Sequence, residues 1–261
     1  STDAGVCYDV NAESEGFGKR HSASSRDMLT GNMIACLDEK GQSYLYTVMY
    51  YDDHDRVIQR KSNNRLNGGV EKDYIAYNFI GQPTKHKHIH SAAGKATQSE
   101  VYSYSYDYAD RLQTTTHCLN NGPVMTLVNN EYDELGRLKH NRRNGQSNLH
   151  TNYAYNLRSW TESISSPLFC ETLYYNDTRS NPTNTRYYNG NISGMDWSVN
   201  GDKKRGYDFS YDNLSRLLYA DYLENNIRNH NFNTSYNYDK QGNIVSLMRS
   251  GNQNTTYGII D

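Results

Sequence analysis

The chain contains 261 residues, and its 27 basic and 29 acidic side chains give a formal net charge of −2 at pH 7, without the basic excess typical of nucleic-acid binding. Hydrophobic residues make up only 35% of the chain, yet it contains 25 tyrosines, whereas disordered chains are poor in aromatic residues. Because tyrosine favours strands and keeps its hydroxyl group in water, this composition predicts a thin, sheet-like protein without a thick aliphatic core.

Several functional classes find no support in the sequence. No apolar run approaches the roughly 18 residues of a membrane-spanning helix, so we expect no membrane span. Nucleotide-binding, zinc-protease and serine-hydrolase motifs are absent, and we predict neither a cofactor nor enzymatic activity. The four cysteines lie far apart and lack metal-ligand spacing, which leaves free thiols or one long-range disulfide among Cys7, Cys36, Cys118 and Cys170.

The first 43 residues are assigned to an N-terminal segment that is partly linker-like. Residues 13–27 are rich in glycine, serine and charged residues, which is typical of a linker. Residues 28–53 predict a leading hairpin, so the segment ends in a strand. We assign the remaining residues, 44–261, to one array of repeats that is truncated at its C-terminus.

A single motif recurs along this array every 23 to 33 residues. In its best form, at residues 132–138, it reads Tyr-Asp-x-x-Gly-Arg-Leu. Self-similarity at such a spacing indicates a repeat architecture. The clearest copies begin at Tyr51, Tyr106, Tyr132, Tyr211 and Tyr238, and degenerate copies begin at Tyr77, Tyr155 and Tyr188.

Each copy has the chemistry of a β-hairpin. Tyrosines at alternate positions before the turn share one face of a strand, as Tyr102, Tyr104 and Tyr106 do. Asp suits the first turn position, where its carboxylate accepts the N–H two residues on, and Gly tolerates the positive φ often needed at the fourth. The residues identified in this way are Asp52, Asp107, Asp133, Asp212 and Asp239 at the first position, and Gly136 and Gly242 at the fourth.

An arginine follows the turn in four copies, and it allows two interpretations. The functional interpretation is a ligand clamp. Recurrence across these copies favours a structural role instead, in which the guanidinium group stacks on a tyrosine or pairs with the turn Asp. The apolar residue that follows is then expected to face the buried side of the sheet. The arginines are Arg56, Arg111, Arg137 and Arg216.

Three histidines at alternate positions form a candidate metal site. On a strand, His86, His88 and His90 would share one face, opposite the neighbouring lysines. Imidazole is a common zinc ligand, but neighbours two apart on a strand lie about 6.6 to 7 Å from each other, which is wide for a single ion. The competing interpretation is an exposed polar face of one hairpin arm.

Two further groups of residues could contact a ligand. The acidic run Asp52 to Asp55 could bind a cation, but it coincides with a repeat turn, where geometry explains the Asp residues. Trp160 and Trp197 fall outside the regular tyrosine pattern, and an exposed indole can stack on a sugar ring or a partner surface. They are candidate ligand-facing aromatics, and the alternative is that they fill the sheet where the repeat is irregular.

The recurring motif resembles the YD repeat, also called the Rhs repeat, of large secreted or cell-surface proteins of Gram-negative gut bacteria. The stretches that carry the resemblance include NEYDELGRL, GYDFSYDNLSRLLYADY and YNYDKQGNI, and it extends from about Tyr44 to Gly251. The resemblance implies a long strip of β-hairpins that spirals. In complete members the strip closes into a hollow shell, which in the toxins of the family encloses a C-terminal effector.

The chain also departs from the complete family pattern. It ends in TTYGIID, which predicts the opening strand of another repeat, and it contains no recognisable core or autoprotease segment. The cleavage residues of the family therefore have no counterparts here. We expect the chain to be a section of a longer protein whose remainder, with an effector, is its first partner.

These observations predict an all-β fold of serial antiparallel hairpins that forms a curved, twisted sheet or an open section of a β-spiral shell. Such a section leaves strand edges open, so edge-to-edge self-association is expected. The predicted function is a non-catalytic structural section of a secreted or cell-surface protein. Two alternatives remain: a surface that binds polysaccharide or a cell-surface protein through exposed Tyr and Trp, and a hydrolase with dispersed acidic residues.

Overall fold

The computed structural model describes residues 5–21, 28–38, 41–179, 182–228, 230–251 and 256–257, and nearly all of its regular structure is β-strand. The chain divides into two compact units, residues 1–130 with 143–145 and residues 131–142 with 146–261. Within each unit, strands that follow each other in sequence pair antiparallel. The predicted all-β fold of serial antiparallel hairpins is therefore confirmed. No helix among the described residues is long and apolar enough to cross a membrane.

The first unit opens with a short helix, α1, at Asn11–Ser14. The strands that follow pair in sequence order, from the first pair through to β7 with β8. Their bounds are β1 Gly31–Asp38, β2 Gly41–Tyr51, β3 Val57–Asn63, β4 Val70–Tyr77, β5 Pro83–Ser91, β6 Gln98–Tyr106, β7 Leu112–Leu119 and β8 Met125–Tyr132.

The second unit repeats this arrangement from β9 onward. Consecutive strands again pair antiparallel, and β15 pairs with both β16 and β17. The bounds are β9 Leu138–Arg143, β10 His150–Tyr155, β11 Thr161–Ser165, β12 Phe169–Tyr174, β13 Gly194–Val199, β14 Arg205–Tyr211, β15 Leu217–Glu224, β16 Ile227–Arg228, β17 Thr234–Tyr238, β18 Ile244–Ser250 and β19 Thr256–Tyr257.

The repeated turns share one backbone geometry. At the tyrosine that opens six of the motif copies the strand register shifts by one residue, as it does at Tyr51 and Tyr211. The fourth turn residue has a positive φ, which is 59° at Asp55 and 82° at Gly136. A left-handed residue beside a bulge is a common way to close a hairpin. The same conformation occurs at Gly81, Asp110, Ser159, Ser215 and Gly242.

The core of the first unit is small and lies where residues 5–21 cover one face of β2 to β5. Strand register aligns Tyr50, Gln59, Tyr74 and Lys87 in a row across this face. The buried apolar side chains there are few and rich in aromatic rings, as the composition predicts. They are Ala12, Phe17, Tyr74 and Ala76, with Ile89 packed against them.

Candidate functional site

In four of the five clear repeat copies the turn is closed by its own Asp and Arg. Asp52 Oδ1 accepts the backbone N–H groups of His54 at 2.9 Å and Arg56 at 3.0 Å. Its Oδ2 accepts Nε of Arg56 at 2.8 Å and lies 2.7 Å from a terminal guanidinium nitrogen. The pattern recurs in the pairs Asp107 with Arg111, Asp133 with Arg137 and Asp212 with Arg216.

These contacts fix the charge of the turn carboxylates. Burial disfavours the ionised form of Asp52, but the hydrogen bonds from the Arg56 side chain and backbone outweigh it and lower its pKa. The hydrogen bond from the Arg111 side chain is the leading cause of the lowered pKa of Asp107. Each carboxylate therefore holds its arginine as an ion pair at neutral pH.

The same arginine also joins its hairpin to the next one along the chain. A terminal nitrogen of Arg56 donates to the backbone oxygen of Asn78 at 3.1 Å, and the guanidinium carbon lies 4.9 Å from the ring centroid of Tyr77. The hydroxyl group of Tyr77 returns to the first hairpin and donates to the oxygen of Val57 at 3.0 Å. We call this set of contacts the Asp–Arg–Tyr stitch.

Two further stitches lie within the second unit. Arg137 donates to the oxygen of Asn156 at 3.2 Å and lies 4.7 Å from the Tyr155 ring. Arg216 donates to the oxygen of Asp239 at 3.0 Å and lies 4.8 Å from the Tyr238 ring. In both cases the tyrosine hydroxyl donates back to the preceding hairpin, at Leu138 and Leu217 respectively.

The last clear copy replaces the arginine with an asparagine. The side-chain amide of Asn243 donates to Asp239 Oδ2 at 2.8 Å, and Oδ1 accepts two backbone N–H groups. This turn is closed in the same way as the others, but asparagine is too short to extend to a following repeat. The turn from Asp239 to Gly242 therefore forms without an arginine.

The three histidines of the candidate metal site share one face of β5 and meet carboxylates on β4. Asp73 Oδ1 lies 3.1 Å from Nε2 of His86 and 2.9 Å from Nδ1 of His88. Glu71 pairs with His88 at 3.2 Å and with His90 at 2.7 Å. Burial opposes ionisation of Asp73, but hydrogen bonds from the two imidazoles lower its pKa to about 2.

This arrangement distributes the imidazoles over two carboxylates. In the described part of the chain, no group of three His, Cys, Asp or Glu side chains is placed to hold a metal ion. The neighbouring lysines lie on the opposite face, where Lys87 binds the Glu15 carboxylate at 2.6 Å. In the acidic run that coincides with the first turn, Asp52 is held by Arg56, whereas Asp53 is largely exposed beside His21.

Both candidate ligand-facing indoles are half-buried. Trp160 lies 4.9 Å from the ring of Tyr175 and beneath the guanidinium group of Arg158. Trp197 stacks on Tyr207 with a centroid distance of 5.6 Å and an interplanar angle of 22°. Both rings are therefore engaged by neighbouring side chains of the second unit.

A buried charge cluster in the second unit has no clear signal in the sequence. Arg179 is 3% exposed and pairs with Asp196 at 2.7 Å and with Asp208. Lys204 binds Asp196, and Arg228 binds Asp208. The cluster ties the irregular stretch between β12 and β13 to the sheet. It needs Gly206, because a Cβ atom there would lie 2.4 Å from Asp196 Oδ1.

A cavity of about 540 Å³ opens beside two of the turns in the second unit. Leu135 and Leu157 lie at its rim and are largely exposed. Arg137 and Arg158 also line it, but Arg137 is held by its stitch and Arg158 by the backbone oxygen of Tyr188. The remaining lining residues are Tyr155, Asn156, Glu162, Asn176 and Asp177.

No family model and no curated protein matches the chain in sequence. Solved structures of Tc toxin components are similar to it. The TcdB2-TccC3 structure without its hypervariable C-terminal region matches with a TM-score of 0.34 and 11% identity, over 88% of this chain and 16% of that chain. The Tc holotoxin pore of Photorhabdus luminescens matches with a TM-score of 0.32 and 10% identity, over 88% and 14%.

The TcdB2-TccC3-Cdc42 structure gives a TM-score of 0.32 at 9% identity, over 87% of this chain and 14% of that chain. This chain therefore spans only 14% to 16% of the length of the chains that it matches. At such identities and scores the comparisons carry no functional assignment. The resemblance to YD-repeat proteins rests on the repeated sequence motif.

Proposed function

We propose that this chain is a non-catalytic structural section of a larger secreted or cell-surface protein of the YD-repeat kind. In this proposal it forms part of the wall of a shell or filament that encloses or displays a C-terminal effector. Its main partner is the remainder of the same polypeptide.

The observation that carries the proposal is the repeated stitch. Three of the turn arginines, Arg56, Arg137 and Arg216, close their own turn and also bind the backbone and the tyrosine ring of the next hairpin. A binding or catalytic site needs its special residues once, whereas a wall needs the same joint in every repeat. Because the joint involves successive hairpins only, the array can be extended without a change of chemistry.

The experiment that tests the proposal is electron cryo-microscopy of the full-length gene product. The expected result is a continuous hairpin wall in which this section joins the repeats that flank it. A section that projects as a separate domain would contradict the proposal. Saturable turnover of a polysaccharide or peptide substrate by the purified chain would contradict its non-catalytic character.

A second candidate function is the binding of a polysaccharide at the cavity beside the turns. Its side chains combine hydrogen-bonding groups with apolar surface, the mixture that sugar hydroxyl groups and ring faces require. Within the described residues, the side chains of Glu162 and Asn176 make no hydrogen bond, so they are available to a ligand. A glycan array compares the unaltered chain with Glu162→Ala, and binding that this change abolishes would support the second function.

A further inference from the structure

The face of β2 to β5 that carries the small core is already occupied by residues 5–21 of the chain. Tyr50 donates its hydroxyl to the backbone oxygen of Val6 at 2.8 Å. At the far end, Lys87 binds the carboxylate of Glu15 at 2.6 Å. The segment thus crosses the strands of this face from one side to the other.

The centre of the face binds the backbone of the segment. The side-chain amide of Gln59, which is fully buried, contacts both backbone groups of Asp9. Its Oε1 accepts the N–H of Asp9 at 3.0 Å, and its Nε2 donates to the backbone oxygen at 2.8 Å. This is the pairing that an adjacent strand would supply, so the glutamine recognises polypeptide backbone whatever the side chain.

A buried lysine two residues after Gln59 on β3 binds another backbone group of the segment. Lys61 is 2% exposed, and its ammonium group donates to the backbone oxygen of Cys7 at 2.5 Å. The hydroxyl of Tyr74 donates to the Asp9 carboxylate at 3.0 Å. A buried ammonium group and a buried amide are costly without partners. The face is therefore built for an occupant that presents carbonyl and N–H groups.

Apolar contacts give the face its sequence preference. Phe17 is 4% exposed and lies 5.7 Å from the ring of Tyr74. Ala12 is buried beside it, whereas Val10 is 66% exposed. Gly18 lies against Ile58, where a Cβ atom would approach Cγ2 to 2.7 Å. An occupant thus needs a small residue, an aromatic ring and a glycine at fixed spacing.

The strands complete their own hydrogen bonding without the segment. Antiparallel pairing between β2, β3, β4 and β5 continues beneath the segment. Residues 5–21 contribute no strand to this pairing. The segment is attached mainly by side chains, with one backbone bond from His21 to Tyr51. A face that is complete in this way can remain folded while its occupant leaves.

We propose that this face is a polypeptide-binding site and that residues 5–21 are its ligand, able to bind there from a separate molecule as well as from the same chain. The proposal is independent of the wall function, because it concerns a side-chain surface of the first unit and involves no stitch. The recognised chemistry is a short peptide that presents two backbone groups to Gln59, a carbonyl to Lys61 and an aromatic ring to Tyr74.

The test uses the full chain with a recognition sequence for a specific protease placed at residues 22–27. After cleavage, gel filtration removes the released segment, a fluorescent peptide of residues 1–21 is added, and its binding is followed by fluorescence anisotropy. The expected result is saturable binding that unlabelled peptide competes away. Circular dichroism of the cleaved chain should retain the strand signal of the intact one.

Variants define the specificity of the site. Phe17→Ala in the peptide and Gln59→Leu in the chain should each weaken binding at least about tenfold, because each removes buried contacts. The matched changes, Val10→Ala in the peptide and Gln113→Leu at an exposed position of β7, should alter it less than about twofold. Three results would overturn the proposal: loss of the strand signal on cleavage, no binding by a folded chain, or equal binding of a peptide of scrambled order.

Discussion

Replacing Arg56 with methionine removes one complete stitch while keeping a long aliphatic side chain. The guanidinium group makes two contacts with Asp52, at 2.8 and 2.7 Å. It also donates to Asn78 and lies over the Tyr77 ring. The variant therefore tests the contacts within a turn and between hairpins at once.

The expected loss can be worked from these contacts. Asp52 is only 8% exposed, so its carboxylate loses a charged partner while it remains largely out of water. A hydrogen bond to a charged group contributes about 1.5 to 3 kcal/mol, and a partly exposed cation–π contact adds about 0.5 to 1 kcal/mol. Because two backbone N–H groups still bind Asp52, we expect a net loss near the lower end, about 2 to 3 kcal/mol.

Urea unfolding followed by tyrosine fluorescence and circular dichroism measures this loss. The matched control is Lys139→Met, since the side chains of Lys139 and Glu131 are 58% and 57% exposed and their pair spans 2.8 Å. A pair so exposed contributes about 0 to 1 kcal/mol. Equal losses from the two variants, or a loss below about 0.5 kcal/mol for Arg56→Met, would refute the assigned role of the stitch.

Three further predictions concern other parts of the account. Asp110 has a φ of 62°, so Asp110→Val should cost about 1 to 2 kcal/mol in unfolding free energy, whereas Asp110→Gly should cost little; equal costs would exclude the left-handed turn. Arg179→Met removes one partner from each of two buried carboxylates and should cost about 3 to 5 kcal/mol. Arg205→Met, at a partly exposed pair with Asp202, should cost only about 0 to 1 kcal/mol, and thermal unfolding separates the two variants. Burial opposes ionisation of Asp52, but hydrogen bonds from Arg56 hold its pKa below the ordinary value, so the ion pair stabilises the fold above about pH 4 and this contribution is lost as the pH falls further. The unfolding free energy of Asp52→Asn should therefore fall less steeply with acid than that of the unaltered chain. An unchanged pH dependence would contradict this.

The repeat and its turns could be predicted because their determinants are local. A first-position Asp, a fourth-position residue that tolerates positive φ, and alternating tyrosines all act within one hairpin. Residue types alone therefore identified turns such as Asp133 to Gly136. The structural role predicted for the arginine was stacking on a tyrosine or pairing with the turn Asp. The structure shows both contacts at once, since Arg137 pairs with its own Asp133 and stacks on Tyr155 of the next hairpin.

Features that depend on distant residues could not be predicted in this way. Phe17 lies in a stretch whose glycine, serine and charge content is typical of a linker, yet it is buried against Tyr74, because the sheet face opposite supplies the apolar surface. Arg179 lies in an irregular stretch without periodicity, and its acidic partners come from β13 and β14. Neither contact leaves a pattern in the neighbouring sequence.

The most direct test of the central claim is a double-mutant cycle between Arg56 and Tyr77, which belong to successive hairpins. Unfolding free energies are measured for the unaltered chain, Arg56→Met, Tyr77→Leu and the double variant. The stitch predicts a favourable coupling energy of about 0.5 to 1 kcal/mol, and the same sign for Arg137 with Tyr155 and for Arg216 with Tyr238. Additive effects in all three cycles would contradict the claim that these arginines join one hairpin to the next.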